Sequence, residues 1–249
     1  MTMLITHVLI LLLLQSEPRS QSSKMELVVS DKSATGAPLH ATGSAAVSIR
    51  ITTEGVESTA ELKGTVKNVS AKPIMAFEAV IDLFPSYGGG DRVFLHFDYY
   101  FSKESLIPNA ASEIALGPHK EVVHWNKPEH PITLDDIHQP PDARADVTVT
   151  FVQFADGTTF GVSQWGSSLT AQRKSLVDIM RGLLFAYDRD GEAGLKSAIG
   201  AVTARPDLPS EIYSSATDID QKLRKNGAAA TVEYLKDSLA NAQRHSTMP

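Results

Sequence analysis

The chain has 249 residues, of which 42% are hydrophobic and 21% charged, and it contains no cysteine. The length suffices for one large core or two small ones. The missing thiols exclude a disulfide framework, a thiolate zinc site, an iron–sulfur cluster and a cysteine nucleophile. A net charge of −6 and a pI near 5.7 argue against a nucleic-acid partner.

The first segment, Leu4 to Leu14, is mostly apolar and unbroken from Val8 to Leu14. It falls short of the roughly 18 apolar residues that a membrane span needs and matches the hydrophobic stretch of a secretory signal. A polar stretch rich in Ser and Gln follows, from Gln15 to Lys24. No Lys or Arg precedes the apolar run, and no small-x-small cleavage site follows it; Ser20 and Ser22 come nearest. The expectation is a signal-like segment with a polar linker over 1–24 and export to the periplasm or the exterior, with no membrane span. Left uncleaved, the segment would hold the N-terminus at a membrane. With Met25 as the true start, the protein would be cytoplasmic.

Residues 25–166 carry 10 Lys and Arg against 18 Asp and Glu, while residues 167–249 carry 11 against 10. The acidity therefore belongs to the first region, and the two regions are of different build. Strand signals recur in the first. Val47, Ile49 and Ile51 alternate with polar residues, as do Ala60, Leu62, Gly64 and Val66. Met75, Phe77, Ala79, Ile81 and Leu83 form the next apolar face, and Val93, Leu95, Phe97, Tyr99 and Phe101 another. Val122 to Trp125 is a short candidate, and Val147, Val149 and Phe151 continue the series. This period of two is that of a sheet with one face buried. The apolar face then shifts to Val152 and Phe154, the mark of a bulge or of burial on both faces. Turn chemistry separates the runs: Asn68 to Pro73, the three glycines between Tyr87 and Asp91, and the hairpin signal Asp156-Gly157. Asn126 to Arg144, with Pro128, Pro131, Pro140 and Pro141, reads as an irregular connection.

The run from Gly64 through Val66, Asn68 and Pro73 to Ile74, followed by an alternating strand and later by Leu116-Gly117-Pro118, resembles small immunoglobulin-like sandwiches of the FxLYD type. Such domains occur in exported bacterial proteins. The resemblance covers about residues 45–125 and implies a fold and a compartment but no catalytic residues. The motif that names the family is missing, since Phe77 to Leu83 departs from it.

From residue 167 the period changes to 3.6. Leu169, Leu176, Met180, Leu183 and Tyr187 line one stripe, broadened by Val177 and Leu184, with Ser167 or Ser168 as a cap. Leu195, Ile199 and Val202 make a shorter helix. Ile212, Ala216, Ile219 and Leu223 make a third, with Pro209 in its first turn. Asn226-Gly227 is a stop, and Val232, Leu235, Leu239 and Ala242 form the last helix. The fold expected is α+β, an N-terminal antiparallel immunoglobulin-like β-sandwich over 25–166 followed by a C-terminal region of about four α-helices over 167–249.

Chemistry-bearing residues are sparse. His96, His119, His124, His130 and His138 cluster in the sequence, and His96 shares a strand face with Asp98. These are weak metal candidates, because their spacing matches no common zinc pattern and His119 and His124 would point apart on one strand. Gly161 to Gly166 resembles a nucleophile elbow around Ser163, but its second glycine comes one residue late. Asp188 to Glu192 lacks the anchor carboxylates of a calcium loop and reads as a helix–helix turn. Asn68-Val69-Ser70 is a formal glycosylation sequon. Phe94, Tyr100, Trp125 and Trp165 form a candidate surface for a protein or glycan partner, unless the helices cover it. The functional expectation is an exported, non-catalytic protein of interaction or envelope structure, with no catalytic residues and no cofactor. The alternative is a metal-dependent or hydrolytic enzyme using the His-rich loops between 96 and 138.

Overall fold

The computed structural model describes residues 22–52, 55–84, 91–124 and 144–246. The N-terminal apolar segment, the glycine cluster after Tyr87 and most of the proline-rich connection, with Trp125, His130 and His138, lie outside these residues. The strands are β1 (Ser22–Asp31), β2 (Leu39–Ile51), β3 (Gly55–Asn68), β4 (Ile74–Phe84), β5 (Asp91–Asp98), β6 (Ala111–His124), β7 (Arg144–Phe154) and β8 (Thr159–Gly161). Two helices follow, α1 (Gln164–Thr203) and α2 (Ser210–Ser246). Strand and helix thus each begin three residues before the boundaries at 25 and 167 expected from the sequence.

The strands form one barrel-like sheet in the order β5-β4-β7-β1-β2-β3-β6, with β8 added to β7. This corrects the expected antiparallel immunoglobulin-like sandwich in two respects. The sheet is mixed, because β1 and β7 run parallel from Val28↔Arg144 to Asp31↔Val147. It is also continuous, because the first half of β1 pairs with β2 while the second half pairs with β7. One strand therefore hydrogen-bonds both halves, a connection that side-chain alternation cannot reveal. The halves curl around a shared core that includes Leu39, Leu62, Val66, Phe77, Ile81, Ile114, Val147 and Val152. Tyr99, just beyond β5, donates its hydroxyl to Ser112 Oγ of β6 at 2.8 Å and draws the two ends of the strand order together. Burial pushes the Tyr99 phenol up from its ordinary value, against a smaller opposing effect of the Ser112 bond.

Two loop devices fix the turns. Asn68 is fully buried, donates Nδ2 to the carbonyls of Lys72 and Leu106 (both 2.9 Å), and accepts from the Ser70 amide and hydroxyl. Its amide nitrogen is thus committed inside the fold, which removes the sequon from reach of a glycan. Across the surface, Lys72 Nζ lies 2.7 Å from Asp156 Oδ2 and joins the β3–β4 turn to the β7–β8 turn.

The expected set of about four helices is corrected to two long ones. α1 and α2 each pass through a single non-helical residue, Gly191 (φ 63°, ψ −147°) and Gly227 (φ 83°, ψ 173°). The stop at Asn226-Gly227 is therefore a one-residue break within α2, and the turn at Asp188–Glu192 a break within α1. The helices carry a second core of Met180, Leu183, Leu195, Ile199, Ile219, Leu223 and Leu235, with Phe101 packed against it. No described helix is long and apolar enough to cross a membrane.

Replacing Gly227 with Ala should lower stability by about 1–3 kcal/mol, the usual cost of a side chain in a glycine-only region. Urea unfolding followed by circular dichroism measures it, and an unchanged midpoint would contradict the kink. The Asp156 carboxyl is held down to about 2 from an ordinary 3.8, first by the Lys72 hydrogen bond and then by the Thr158 hydroxyl and amide. The folded state therefore holds this proton less tightly than the unfolded state. The pair's stabilisation is complete above pH 3.8 and is lost as the pH falls through about 2. Unfolding midpoints of wild type and Asp156→Asn should differ at neutral pH and converge near pH 2.

Candidate functional site

The site grows from the outer face of β4, β5 and β7. On β4 the core side takes Phe77, Ala79 and Ile81, which leaves Glu78, Val80 and Asp82 facing outward. On β5 the same parity turns Arg92, Phe94 and His96 outward, opposite Asp82, Val80 and Glu78. The β4–β7 register then shifts between Glu78 and Ala79, so that Glu78 pairs with Phe151 and Ala79 with Val149. This bulge is the change of face anticipated at Val152. It presents Thr150, whose hydroxyl donates to Glu78 Oε1, and releases Phe151 from the barrel core. Phe151 packs instead with Ala76, Trp165 and Leu169.

Helix α1 is anchored on that cluster. Ser163 caps it, accepting the Gly166 amide at 2.9 Å. A Cβ at Gly166 would come within 2.6 Å of the Phe151 ring, so a larger residue would push the helix off the sheet. The two glycines and the serine that resembled an elbow therefore start and seat a helix. Trp165, 6% exposed, lies flat on His96 with centroids 4.7 Å apart and an interplanar angle of 1°. His96 Nε2 is hydrogen-bonded to Glu78 Oε2 at 3.0 Å, and its Nδ1 lies 3.8 Å from Glu211 Oε1 at the start of α2. Glu78 is only 4% exposed.

A second attachment lies one turn further along α1. Arg173 donates Nε and Nη2 to the two Asp98 oxygens (2.9 and 2.7 Å) and Nη1 to Gln153 Oε1 (2.7 Å). Its guanidinium also sits 4.6 Å from the centre of the Tyr100 ring, and the Tyr100 hydroxyl meets Ser246 at the end of α2.

Between these contacts opens a cleft of about 850 Å³. Glu78, His96 and Trp165 make its floor, and Val80, Phe94, Val162 and Ile212 give it apolar walls. Phe94 is 55% exposed and Val162 88%. At the rim, Arg92 donates to both oxygens of Asp82 at 2.7 and 3.1 Å, which holds the guanidinium above its ordinary value. An adjoining cavity of about 530 Å³ continues beneath the helices past Asp98 and Arg173.

The residues singled out in the sequence thus have separate places. His96 and Asp98 share a face, but the first is engaged by Glu78 and Trp165 and the second by Arg173. The backbone of His119 and His124 belongs to β6, at the opposite end of the strand order from β5. Among the described residues no group of three His, Asp or Glu side chains is placed to hold a metal ion. Of the aromatics, Trp165 is the part of α1 buried against the sheet, Tyr100 lies against Arg173 of α1, and Phe94 opens into the cleft. Glu78, Arg173 and Glu211 are site residues that the pattern did not single out. Two had a signal: Glu78 interrupts a strand apolar on both faces, and Arg173 falls four residues after Leu169 on the apolar stripe. No family model matches the chain, and no curated protein or solved structure gives a significant match.

Arg173 is buried while Asp98 stays partly exposed, so removing the guanidinium strands a carboxylate that water can still reach in part. Arg173→Ala should therefore cost about 1.5–3 kcal/mol in urea unfolding, the range for charge-assisted hydrogen bonds. Arg173→Lys, which keeps the charge and loses the fork, should fall between the two. A loss as small as that of an exposed surface pair would show that the fork does not hold the helix to the sheet.

Proposed function

We propose that the protein is an exported, non-catalytic interaction protein, and that the cleft between the β4–β5–β7 face and the helix starts takes its protein or glycan partner. The observation that carries this reading is an open, preformed cleft whose floor is immobilised while its apolar wall stays exposed. Preformed clefts with apolar walls and a few oriented polar groups are the usual form of a binding site. Several polar groups inside it are already paired: Glu78 with His96 and Thr150, Asp82 with Arg92, and Ser163 with the helix amide. Such pairing holds these groups in fixed orientations, as a preformed binding site requires. Export is supported by the apolar run from Leu4 to Leu14 ahead of a polar stretch.

The reading is tested by recovering partners from the native envelope with wild type and two variants. Phe94→Glu puts a charge on the exposed wall of the cleft, whereas Phe185→Glu changes an exposed aromatic of α1 outside it. Wild type and Phe185→Glu should retain the same partner, and Phe94→Glu should lose it. Equal recovery by all three would overturn the assignment of the cleft.

A further inference from the structure

The same strand that lines the cleft is an edge of the sheet. β5 pairs with β4 on one side, and among the described residues no strand pairs with its other side. Its parity is set by the Tyr99 amide, which donates to Met75 O at 2.8 Å. The register then runs without a shift from Ala76↔Asp98 to Leu83↔Asp91. Hydrogen bonding alternates along an antiparallel pair. The backbone groups of Phe97, Leu95 and Val93 therefore turn toward β4. Those of Arg92, Phe94 and His96 turn toward the open edge. These three are the residues whose side chains enter the cleft. No bulge or proline interrupts the edge, the devices that normally keep such a strand from pairing.

We propose that the cleft receives an extended peptide segment of a partner protein, which adds a strand to β5 beside Arg92 and Phe94 and ends against the start of α2. This rests on the binding role proposed for the cleft and names its occupant. In such an addition, backbone bonds supply affinity and alternate side chains supply selectivity. Every second side chain of the incoming strand faces into the cleft. The one beside Phe94 meets the Phe94 ring on the same face of the sheet and is apolar. The one reaching the far wall meets Glu211, whose carboxylate is a third exposed. Asp82 is already held by Arg92 and Glu78 by His96, which leaves the Glu211 carboxylate, 3.8 Å from His96 Nδ1, as the acidic group an incoming side chain can reach. Its charge favours Lys or Arg at the position two residues from the apolar one.

The probe is a blocked peptide, Thr-Lys-Thr-Leu-Thr-Lys-Thr, with two companions: one with Glu in place of both lysines, the other N-methylated on Leu and on the two threonines flanking it, which blocks pairing in either strand direction. Titration followed by amide NMR should show the first peptide slowing exchange at the Phe94 amide. Phe94→Ala should weaken it by about tenfold, the loss typical of an anchor residue. Glu211→Gln should weaken the Lys peptide and leave its neutral Gln analogue unaffected. The Glu and N-methylated peptides should bind less tightly still. Equal binding of the N-methylated peptide would overturn strand addition. So would a Phe94 amide already protected in the free protein, or a self-association abolished by Phe94→Ala, which would assign the edge to this chain or to a second copy. Loss of envelope partners by Phe94→Glu without binding of any extended peptide would defeat the strand and leave the cleft assignment standing. Retention of those partners by Phe94→Glu defeats the cleft itself.

Discussion

Arg173 reaches from the third turn of α1 to the last residue of β5 and grips both oxygens of Asp98, while its remaining nitrogen holds Gln153 on β7. The helical hairpin has its own apolar core and touches the sheet over a narrow area. Hydrophobic contact of that kind is non-directional and would leave the hairpin free to pivot on Trp165. A planar guanidinium fixed at three acceptors has a direction. With Tyr100 beneath it, the fork sets the angle at which α1 leaves the sheet, and so the width of the cleft.

The floor of the cleft follows from a second constraint, the bulge at Thr150. Without it β7 would keep its phase, and Phe151 would point into the barrel with Val149. The extra residue turns Phe151 outward, where it receives Gly166 and Trp165, and brings Thr150 beside Glu78. A carboxylate as deeply buried as Glu78 is tolerated only with partners, and it has the Thr150 hydroxyl and the His96 ring. His96 in turn is pressed flat by Trp165. A strand irregularity, a buried acid and an aromatic stack thus depend on one another, and together they fix the face that Phe94 borders.

How much of this could be read from the residues depends on the range of the interaction. Alternation located β2, β3, β4, β5 and β7, because one face of each is buried and the period of two is local. The helical stripes located α1 and α2 for the same reason. Strand partners were not legible. β1 divides its hydrogen bonds between β2 and β7, and no feature of Ser22–Asp31 announces the division. The helix count failed at Gly191 and Gly227. Each has a stop signal's residues and does leave helical geometry, but only that one residue departs, so helix resumes at once and the two stretches join across a kink. His96 and Trp165 were visible as single residues, and their stacking joins positions far apart in the chain. Glu78 and Arg173 were legible only as exceptions, charged residues on apolar stripes. Both proved to be where the stripe meets another element.

An edge strand without a partner, as β5 is among the described residues, is a liability, since unpaired backbone groups recruit other strands. The opposite edge, β6, is irregular: its register with β3 shifts between Ala60 and Leu62, around Gly117-Pro118. β5 has no such interruption. It has instead charged residues at intervals, with Arg92 and His96 flanking Phe94, and a helix start standing across from one end. Charges on an edge weaken indiscriminate pairing, and the Glu211 wall limits the length of any strand that enters. Phe94 between them offers an apolar contact that only a matched side chain fills without stranding a charge. The features that make this edge safe against its own kind are the features that would make it selective for one partner sequence.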